Sequence, residues 1–499
     1  MKYLVITAAA SFCTFNSSVL YADSFVSEGI RYEITGQATC SVVSLEDNVN
    51  PSESIIIPET VSFNDVDYRI TSINEGTFQN LTGIKKLIIK APILSIPAYL
   101  CAGCEDLAEV EIPETVVVIN EGAFTGCENL QILSSGNEAE SLPNLNKIDD
   151  KAFFRATSLQ IMPKMPLLEI IGESSFRSCR SLRNISFASS VITIGKYSFN
   201  DCENIEEVSF TSPIMTVGEG AFDGCLSLVK AKLEFSNGII HSNTFRNCSK
   251  LNQLITESPI ERIGESAFEN CHSLTNLPIS ENTLEIGKFA FSGCNMIENL
   301  ILRILDTKIA EGAFRNCKSL KFVSIWGNVS TIERNSFSGC ESLEEVEICP
   351  SVDKIEADSF SGCTKISSVH CDRFIPPFLQ GNAFENETYS YAKLFVVRGF
   401  EETFRQTPEW DKFLNIYGAD NFPTHASIKE ITDDDGPFIK VEGKELQIIK
   451  EQPEGVIIYD INGIKIGEMS GHLYEKFYIE KPGYIIVRTS KRAVLYIIN

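Results

Sequence analysis

The cysteines are the first residues whose spacing suggests chemistry. Cys101 and Cys104 form a CxxC pair, a spacing used in redox and metal sites. Most of the sixteen cysteines, however, form a periodic series in which every gap but one is 23 residues. The series is Cys104, Cys127, Cys179, Cys202, Cys225, Cys248, Cys271, Cys294, Cys317, Cys340 and Cys363. Because Cys101 occupies the position that Phe124 fills in the next unit, both cysteines of the pair are expected to be small buried side chains.

The one long gap in the series is itself periodic. The 52 residues between Cys127 and Cys179 are one period plus 29, with Ala156 at the missing cysteine position and a six-residue insertion in SSGNEAESLPN. Stacked turns would place the cysteines about 4.8 Å apart with nearly parallel Cβ directions, whereas a disulfide needs converging Cβ atoms about 3.8 Å apart. Free thiols are therefore predicted. Three cysteines outside the series stay unassigned: Cys40, Cys349 and Cys371.

Carboxylates and histidines offer the remaining chemistry. Glu344, Glu345 and Glu347 suggest the paired acids of glycoside hydrolysis, but they lie on one short strand in a register that carries lysine or serine elsewhere, so a solvated face is favoured. The run from Asp433 to Asp435 lacks the ligand spacing of a calcium loop and is interpreted as a solvated linker. The five histidines form no HExxH pair, and no GxSxG or phosphate-binding loop is present. We therefore predict no enzyme activity, no cofactor and no metal site.

These residues belong to one unit that is copied many times. Examples are INEGAFTGCENL (119–130), IGESSFRSCRSL (171–182) and VGEGAFDGCLSL (217–228). The apolar pair with period two at the end of each unit predicts a short strand, and the AFxxC segment has the spacing of one helical turn. A single unit cannot bury its apolar side alone, so the units must stack. The pattern predicts about fourteen turns over residues 71–390, each with a short strand and a short helical or irregular return.

This pattern resembles the leucine-rich-repeat family, and its 23-residue AFxxCxxL form resembles the BspA-type repeats of surface proteins from Gram-negative anaerobes. The resemblance covers residues 71–390. It implies a solenoid with a parallel sheet along one side, a cell-surface location, and adhesion to host proteins or to other bacteria. It does not name a ligand.

Both ends of the repeat region are expected to be capped. Residues 23–70 alternate like hairpins and predict an N-terminal β cap, and residues 391–422 predict a strand and a helix whose Phe404, Trp410 and Phe413 cover the last turn. Residues 423–499 are interpreted as a linker and a small all-β, sandwich-like tail. In that tail, VIIYDING (456–463) and GYIIVR (483–488) resemble the C-terminal sorting domains of type IX secretion cargo. An accessory β-sandwich is the alternative.

The first residues and the net charge restrict the location and the partners. Residues 1–22 contain a lysine, an apolar run and a small residue at Ala22, which predicts a signal peptide. No later stretch has the roughly 20 apolar residues of a membrane helix. The net charge of -24 disfavours nucleic acid as a partner. Export to the cell surface, to an outer-membrane-associated site or to the medium is predicted.

The outward side of the sheet remains as the candidate site. In each unit, the residues before and after the second strand apolar residue should point outward and stack into two columns. An apolar stretch of Ile255, Ile301 and Phe322 is expected between lysines and glutamates, as in a protein-binding site. Trp326 is expected just beyond a strand, packed into a turn. The predicted ligand-binding residues are Gln253, Ile255, Asn299, Ile301, Phe322, Ser324, Glu345 and Glu347.

The favoured function is a surface scaffold that binds a protein. The ligand would be an extracellular or host-surface protein, or another bacterial surface protein. The alternative is a glycan-binding module that serves a neighbouring uptake system. Sugar sites favour aromatic platforms, and Phe322 is the one clear aromatic residue in the columns, so a protein ligand fits better.

Overall fold

A computed structural model of the chain describes residues 24–419, apart from 47–52, 137–139, 186–189, 281, 305–307 and 328, together with seven strands between residues 439 and 498. Within that part, the chain forms a parallel β-solenoid of about fourteen turns. The predicted fold class is confirmed. The predicted signal peptide (1–22) and the aspartate run (433–435) lie outside the described residues.

A long ladder of parallel strands, here called the long ladder, runs along one side of the solenoid in three sheets. Strands of successive turns pair in register at the 23-residue period, as in Val346 with Val369. The strands are Ser54–Ile57, Lys86–Ile89, Glu109–Glu111 and Ile132–Ser134 in the first sheet; Asn184–Ile185, Glu207–Ile214, Lys230–Phe235 and Gln253–Ile255 in the second; and Asn299–Ile304, Phe322–Gly327, Glu345–Ile348, Ser368–Cys371, Lys393–Val397 and Asn415–Ala419 in the third.

The return segments carry a second, narrower parallel ladder. It arises from the I-x-x-I part of the repeat, where two-residue strands place one side chain in the core. The AFxxC segments form tight turns rather than helical turns. The strands are Ser95–Ile96, Val118–Ile119, Lys147–Ile148, Ile170–Ile171, Thr193–Ile194 and Thr216–Val217; then Ile239–Ile240, Arg262–Ile263 and Glu285–Ile286; then Thr331–Ile332, Lys354–Ile355 and Phe378–Leu379.

The glycine of the Ile-Gly step is required by close packing between turns. A Cβ atom at Gly195 would lie 2.5 Å from the carbonyl carbon of Gly172 in the preceding turn. Gly218 stands in the same relation to Gly195, with 2.6 Å to its carbonyl carbon. Each turn also needs a left-handed residue before its cysteine, which explains residues such as Gly293 (φ 77°) and Asn247 (φ 61°).

Two columns of side chains fill the core. Phenylalanine rings stack with centroids 4.8 to 5.6 Å apart from Phe124 to Phe384, one ring per turn. All series cysteines are buried free thiols. Each donates its S–H to the carbonyl oxygen of the residue 26 positions earlier, as Cys248 does to Phe222 at 3.1 Å. The cysteine is thus a small core residue that satisfies a turn carbonyl.

The CxxC pair follows the same arrangement. Cys101 and Cys104 are both fully buried. Burial holds the pKa of the Cys101 thiol well above its ordinary value, and a hydrogen bond from Cys101 lowers the pKa of Cys104. Because a redox pair needs an accessible thiolate, this environment favours a structural role. The unassigned cysteines are likewise buried in the core: Cys40, Cys349 and Cys371.

A five-stranded sheet covers the N-terminal end of the core, and a short helical segment covers the C-terminal end. This N-terminal cap sheet is antiparallel except for one parallel pair. Its strands are Ser24–Ser27, Ile30–Gly36, Thr39–Leu45, Thr60–Phe63 and Val66–Ile73. The helices are Asn386–Tyr391, Glu401–Arg405 and the 3₁₀ helix Trp410–Lys412. Phe404, Trp410 and Phe413 are buried against the core.

The C-terminal tail is all-β in its described strands, as predicted. One sheet contains Ile439–Glu442, Glu445–Ile448 and Lys476–Tyr478, and the other contains Lys465–Met469, Val456–Asp460, Gly483–Arg488 and Ala493–Ile498. All the pairings in both sheets are antiparallel. Among the described residues, no helix has the length and apolar character needed to cross a bilayer.

Candidate binding face

The third sheet of the long ladder presents a continuous outward surface, which we call the C-terminal sheet face. Its strands run from Asn299–Ile304 to Asn415–Ala419. Val323 and Ile325 point into the core, so Phe322, Ser324 and Trp326 point outward. The parallel register places one outward residue of each strand beside its counterpart on the next, about 4.8 Å away.

Two columns of outward side chains follow from this register. The first column is Asn299, Phe322, Glu345, Ser368, Lys393 and Asn415. The second column is Ile301, Ser324, Glu347, His370, Phe395 and Tyr417. The face therefore mixes apolar, aromatic and titratable groups within a few strands.

A hydrogen-bonded polar layer lies in the middle of this face. The indole Nε1–H of Trp326 donates to Ser324 Oγ at 2.5 Å. The Ser324 hydroxyl in turn donates to Glu347 Oε2 at 2.5 Å. Ser324 is 0% exposed and Glu347 is 6% exposed, although both point away from the core. A carboxylate is thus buried on the outward side of the sheet, where its hydrogen bond to Ser324 stabilises it.

His370 joins the layer from the next strand. The ring is 4% exposed, and its Nε2 lies 3.0 Å from Glu345 Oε1 and 2.6 Å from Ser368 Oγ. Both neighbours thus contact the same ring nitrogen. A serine-histidine-acid triad uses one nitrogen for the serine and the other for the acid, so this arrangement does not equip Ser368 as a nucleophile.

Aromatic and apolar side chains border the polar layer on both sides. The His370 ring stacks on Phe395 with centroids 4.7 Å apart and an interplanar angle of 11°. The ring of Phe395 contacts that of Tyr417 on the last strand, with the ring centroids 5.8 Å apart. Tyr417 is 47% exposed, and Ile301 on the opposite side is 41% exposed. The face therefore offers apolar contact area around a rigid polar centre.

A small pocket opens beside the polar layer. Its lining includes Trp326, Glu347, His370 and Asp372, and its volume is about 20 Å³. Burial raises the pKa of Asp372 to about 6. The neighbouring Arg373 points elsewhere, with its Nη1 3.0 Å from Asp353 Oδ1. In the part of the chain that the structure describes, no group of three or more histidine, cysteine or acidic side chains is arranged to hold a metal ion.

A match to a family model identifies the family to which this chain belongs. The sequence model of the BspA type leucine rich repeat region matches residues 53–142, 137–252 and 238–367, which together exceed half of the chain. The chain belongs to the BspA-type leucine-rich-repeat family. No curated protein matches it.

Several solved structures resemble the BspA-type chain. A leucine-rich repeat protein from Bacteroides ovatus is 22% identical with a TM-score of 0.50, over 75% of this chain and 100% of that chain. A leucine rich cell surface protein from Faecalibacterium prausnitzii is 16% identical with a TM-score of 0.39, over 80% and 98%. The pneumococcal vaccine antigen PcpA is 14% identical with a TM-score of 0.37, over 80% and 99%. The Bacteroides ovatus structure supports the fold.

The fold of this BspA-type chain divides the predicted apolar stretch. Ile255 is half-buried in the second sheet, beside the exposed Gln253, whereas Ile301 and Phe322 lie in the third. The intervening turn contains Pro278, forms no strand and interrupts the ladder. Proline lacks the N–H that a ladder needs, which accounts for the break. Ile255 and Ile301 are therefore not adjacent on one surface.

Three further predicted positions behave differently from expectation. The solvated face expected for the glutamate strand is wrong for Glu347, which is buried, whereas Glu345 is half-buried. Ser324 is also buried. Trp326 lies within the strand Phe322–Gly327 and not beyond it, so its expected position in a turn is wrong. Asn299 is exposed and Phe322 is half-buried at the border of the polar layer.

Sequence reasoning missed four residues of the BspA-type face: Trp326, His370, Asp372 and Phe395. His370 follows Glu347 by one 23-residue period, so extending the period would have placed it in the second column. Phe395 follows His370 by 25 residues, because the helix Asn386–Tyr391 enters the last turn. The repeat alone does not predict that position.

Proposed function

We propose that this chain is an exported recognition scaffold that binds a protein ligand on its C-terminal sheet face. The observation that supports this proposal is the hydrogen-bonded network of the half-buried Trp326 with the buried Ser324 and Glu347. It lies at the centre of an outward sheet surface that exposes Ile301 and Tyr417. A fixed polar centre with an apolar border is the arrangement of a binding surface. The ligand would be an extracellular, host-surface or bacterial surface protein, and the role would be adhesion.

Rigidity supports a role in recognition. Each strand of the face is held by ladder hydrogen bonds to its neighbours, and the outward side chains are tied to one another by the serine, indole and histidine contacts. A preorganised surface loses little conformational entropy when a partner binds. Adhesion to a protein therefore requires no rearrangement of the solenoid.

A glycan ligand is the second candidate, and one observation favours it. Trp326, Phe395 and Tyr417 join Phe322 on the face, so the aromatic content is higher than the two predicted columns suggested. Aromatic rings can stack on sugar rings, and carboxylates such as Glu345 can accept hydrogen bonds from sugar hydroxyls. In this reading the chain would present a glycan to a neighbouring uptake system.

A non-enzymatic role is part of the proposal. The leucine-rich-repeat solenoid is a scaffold, and Glu345 and Ser368 converge on one nitrogen of His370. Nothing in that geometry would activate a nucleophile.

Location at the cell surface, with outer-membrane association or release to the medium, is also proposed. It rests on the predicted signal peptide over residues 1–22 and on the resemblance of the all-β tail to type IX sorting domains. Deleting residues 423–499 would retain the protein in the periplasm if the tail is the sorting signal. Unchanged surface display would favour an accessory β-sandwich.

The ligand class can be tested by capture from extracellular-matrix, plasma and bacterial-surface proteins, in parallel with a glycan array. The full chain is compared with the double variant Ile301→Glu/Phe322→Glu. The matched control is Ile88→Glu/Ile132→Glu, which alters the same two columns in the first sheet. A partner lost only by the first variant supports the proposal. Binding unaffected by both variants contradicts it, and binding restricted to the glycan array favours the second candidate.

A further inference from the structure

A cleft lies at the C-terminal end of the solenoid, between the last strand of the narrower ladder and the segment before the 3₁₀ helix. The strand Phe378–Leu379 lines one side, and Thr407, Pro408 and Glu409 line the other. The cleft has a volume of about 460 Å³, within the range of about 300 to 1,000 Å³ that is usual for small-ligand sites. We call it the cap cleft. Its strand belongs to the narrower ladder, so the cleft is separate from the C-terminal sheet face.

The apolar part of the cap cleft is an exposed aromatic ring flanked by proline rings. Phe378 is 64% exposed and lines the cleft together with the half-buried Pro376 and the exposed Pro408. An aromatic side chain that stays open to solvent offers a flat apolar surface to a ligand. Such a ring can pack against the C–H groups on one side of a pyranose ring.

A glycine keeps the cap cleft open, although the backbone does not require glycine there. Gly381 lines the cleft and lies outside the left-handed region. The nearest atom to a Cβ built at this position would be Glu409 Oε2 at 3.8 Å, followed by the other atoms of the same carboxyl group. A longer side chain at residue 381 would therefore extend towards Glu409 and fill the cleft. Its absence leaves room for a ligand beside the carboxylate.

Glu409 brings its carboxylate to the cap cleft from an unusual backbone conformation. Its φ of 74° and ψ of -41° lie in a region that residues other than glycine rarely adopt. Backbone strain of this kind is concentrated at ligand sites and active sites. The side chain is 27% exposed, and its Oε2 accepts a hydrogen bond from Lys412 Nζ at 2.7 Å. A ligand can therefore reach the carboxylate, which is able to accept further hydrogen bonds.

The polar groups of the cap cleft suit a ligand with several hydroxyl groups. Because Glu409 is paired with Lys412, the cleft has no unpaired charge there to select a charged ligand. An apolar ligand would cover this ion pair without replacing its hydrogen bonds to water, which is unfavourable. Gln380 is exposed, and its Oε1 accepts from the Ala357 N–H at 3.4 Å, which leaves its amide N–H groups as donors. Sugar hydroxyls donate and accept hydrogen bonds, so they match a carboxylate beside an amide.

We propose that the cap cleft binds a neutral glycan. One pyranose ring packs against Phe378, and its hydroxyl groups donate hydrogen bonds to Glu409 and accept them from Gln380. Because the cap cleft is separate from the C-terminal sheet face, the inference does not depend on the proposed protein-binding function. A chain with both sites would engage a protein and a glycan through different surfaces of one solenoid.

An array of neutral oligosaccharides, probed with the full chain, tests the inference. Titration calorimetry then measures the affinity for the oligosaccharide with the strongest signal. Phe378→Ala removes the aromatic ring, and Gly381→Leu fills the cleft. The matched control is Phe374→Ala, which removes a ring that is 47% exposed and lies outside the cleft lining. We expect both cleft variants to weaken binding about tenfold or more, and the control to stay within about twofold of the wild type.

A third variant, Glu409→Gln, tests the hydrogen bonds to the carboxylate. It keeps the shape of the side chain but replaces a charged acceptor with a neutral one, which accepts hydroxyl donors more weakly. We expect the affinity for the same oligosaccharide to fall about fivefold or more. An unchanged affinity would overturn the assigned contact. Thermal melts close to that of the wild type are expected for Phe378→Ala and Gly381→Leu, since both residues are exposed, and they show that lost binding does not reflect unfolding.

The outcomes separate this inference from the proposed function. No binding to any neutral oligosaccharide at millimolar concentration overturns the glycan site and leaves the protein-binding face standing. Glycan binding that is kept in Gly381→Leu but lost in Ile301→Glu/Phe322→Glu assigns the glycan to the C-terminal sheet face and also overturns it. An apolar peptide that binds through Phe378 while no oligosaccharide binds would assign the cap cleft to a protein and would likewise overturn it.

Discussion

Trp326 donates its indole N–H to the hydroxyl of Ser324, two residues earlier on the same strand, at a distance of 2.5 Å. The Ser324 hydroxyl in turn donates a hydrogen bond to Glu347 Oε2 on the next strand. The aromatic ring and the buried carboxylate are therefore parts of one network that spans two turns of the solenoid. These contacts fix the positions of outward side chains on two neighbouring strands.

Replacing Trp326 with phenylalanine removes the indole donor and keeps an aromatic ring. Ser324 is buried, so the lost hydrogen bond has no replacement from bulk solvent. We expect the free energy of unfolding to fall by about 1 kcal/mol. Urea denaturation measures the change, and Ser324→Ala in both backgrounds completes a double-mutant cycle. A coupling energy near zero would show that the ring acts by packing alone.

Asp372→Asn should stabilise the fold at neutral pH. The carboxyl has a pKa of about 6 in the folded chain, against an ordinary value of 3.8, because burial disfavours its charge. The stability contributed by the protonated form is fully present below about pH 4 and is lost as the pH rises through about 6. The variant lacks this loss, so we expect it to be about 1 to 3 kcal/mol more stable than the wild type at pH 7.

Denaturation of both proteins between pH 4 and pH 8 checks this expectation. The other titratable groups near Asp372 are Glu347, His370, Cys349, Cys371 and Arg373, and they are present in both proteins. Their contributions cancel in the stability difference except where the Asp372 charge itself shifts their pKa values, so the difference reports on Asp372 and its electrostatic contacts. A difference that stays constant across the range would mean that its carboxyl is not perturbed by burial.

The cysteine period predicts the strand register directly. Val323 pairs with Val346, one period apart, as the spacing requires. The buried layer was not predictable in the same way, because Glu345 and Glu347 alternate on a strand as solvated residues do. The burial of Glu347 depends on its hydrogen bond from Ser324, which lies one period earlier in the sequence. It also depends on the indole of Trp326, which donates a hydrogen bond to Ser324. Periodicity identifies which residues face outward, but not which of them their neighbours cover.

Gly195→Ala should disrupt the stacking of turns. The added Cβ atom would lie 2.5 Å from the backbone of Gly172, which cannot move without displacing the adjoining turn. We expect a loss of about 1 to 3 kcal/mol. Gly381→Ala is the control, because the nearest atom to its Cβ would be Glu409 Oε2 at 3.8 Å. Equal stability of the two variants would argue against close backbone packing at the Ile-Gly step.

The series cysteines should react only after unfolding. They are buried free thiols, and burial holds the pKa of Cys179 and Cys271 well above the ordinary value. Alkylation at pH 8 should be slow in the native protein and fast in denaturant, with no reductant added. Treating a second denatured sample with reductant should reveal few additional thiols. A large increase on reduction would reveal disulfides and contradict the ladder of thiols.

The most direct test of the recognition face is the affinity of one captured protein partner for Ile301→Glu and for Ile88→Glu. Both substitutions place a carboxylate in the second column, but Ile88 lies in the first sheet and Ile301 borders the polar layer. If the C-terminal sheet face binds the partner, Ile301→Glu weakens binding by about tenfold or more, and Ile88→Glu leaves it within about twofold of the wild type. Equal affinities for both variants, with both chains folded, would contradict the assignment of the binding surface to this face.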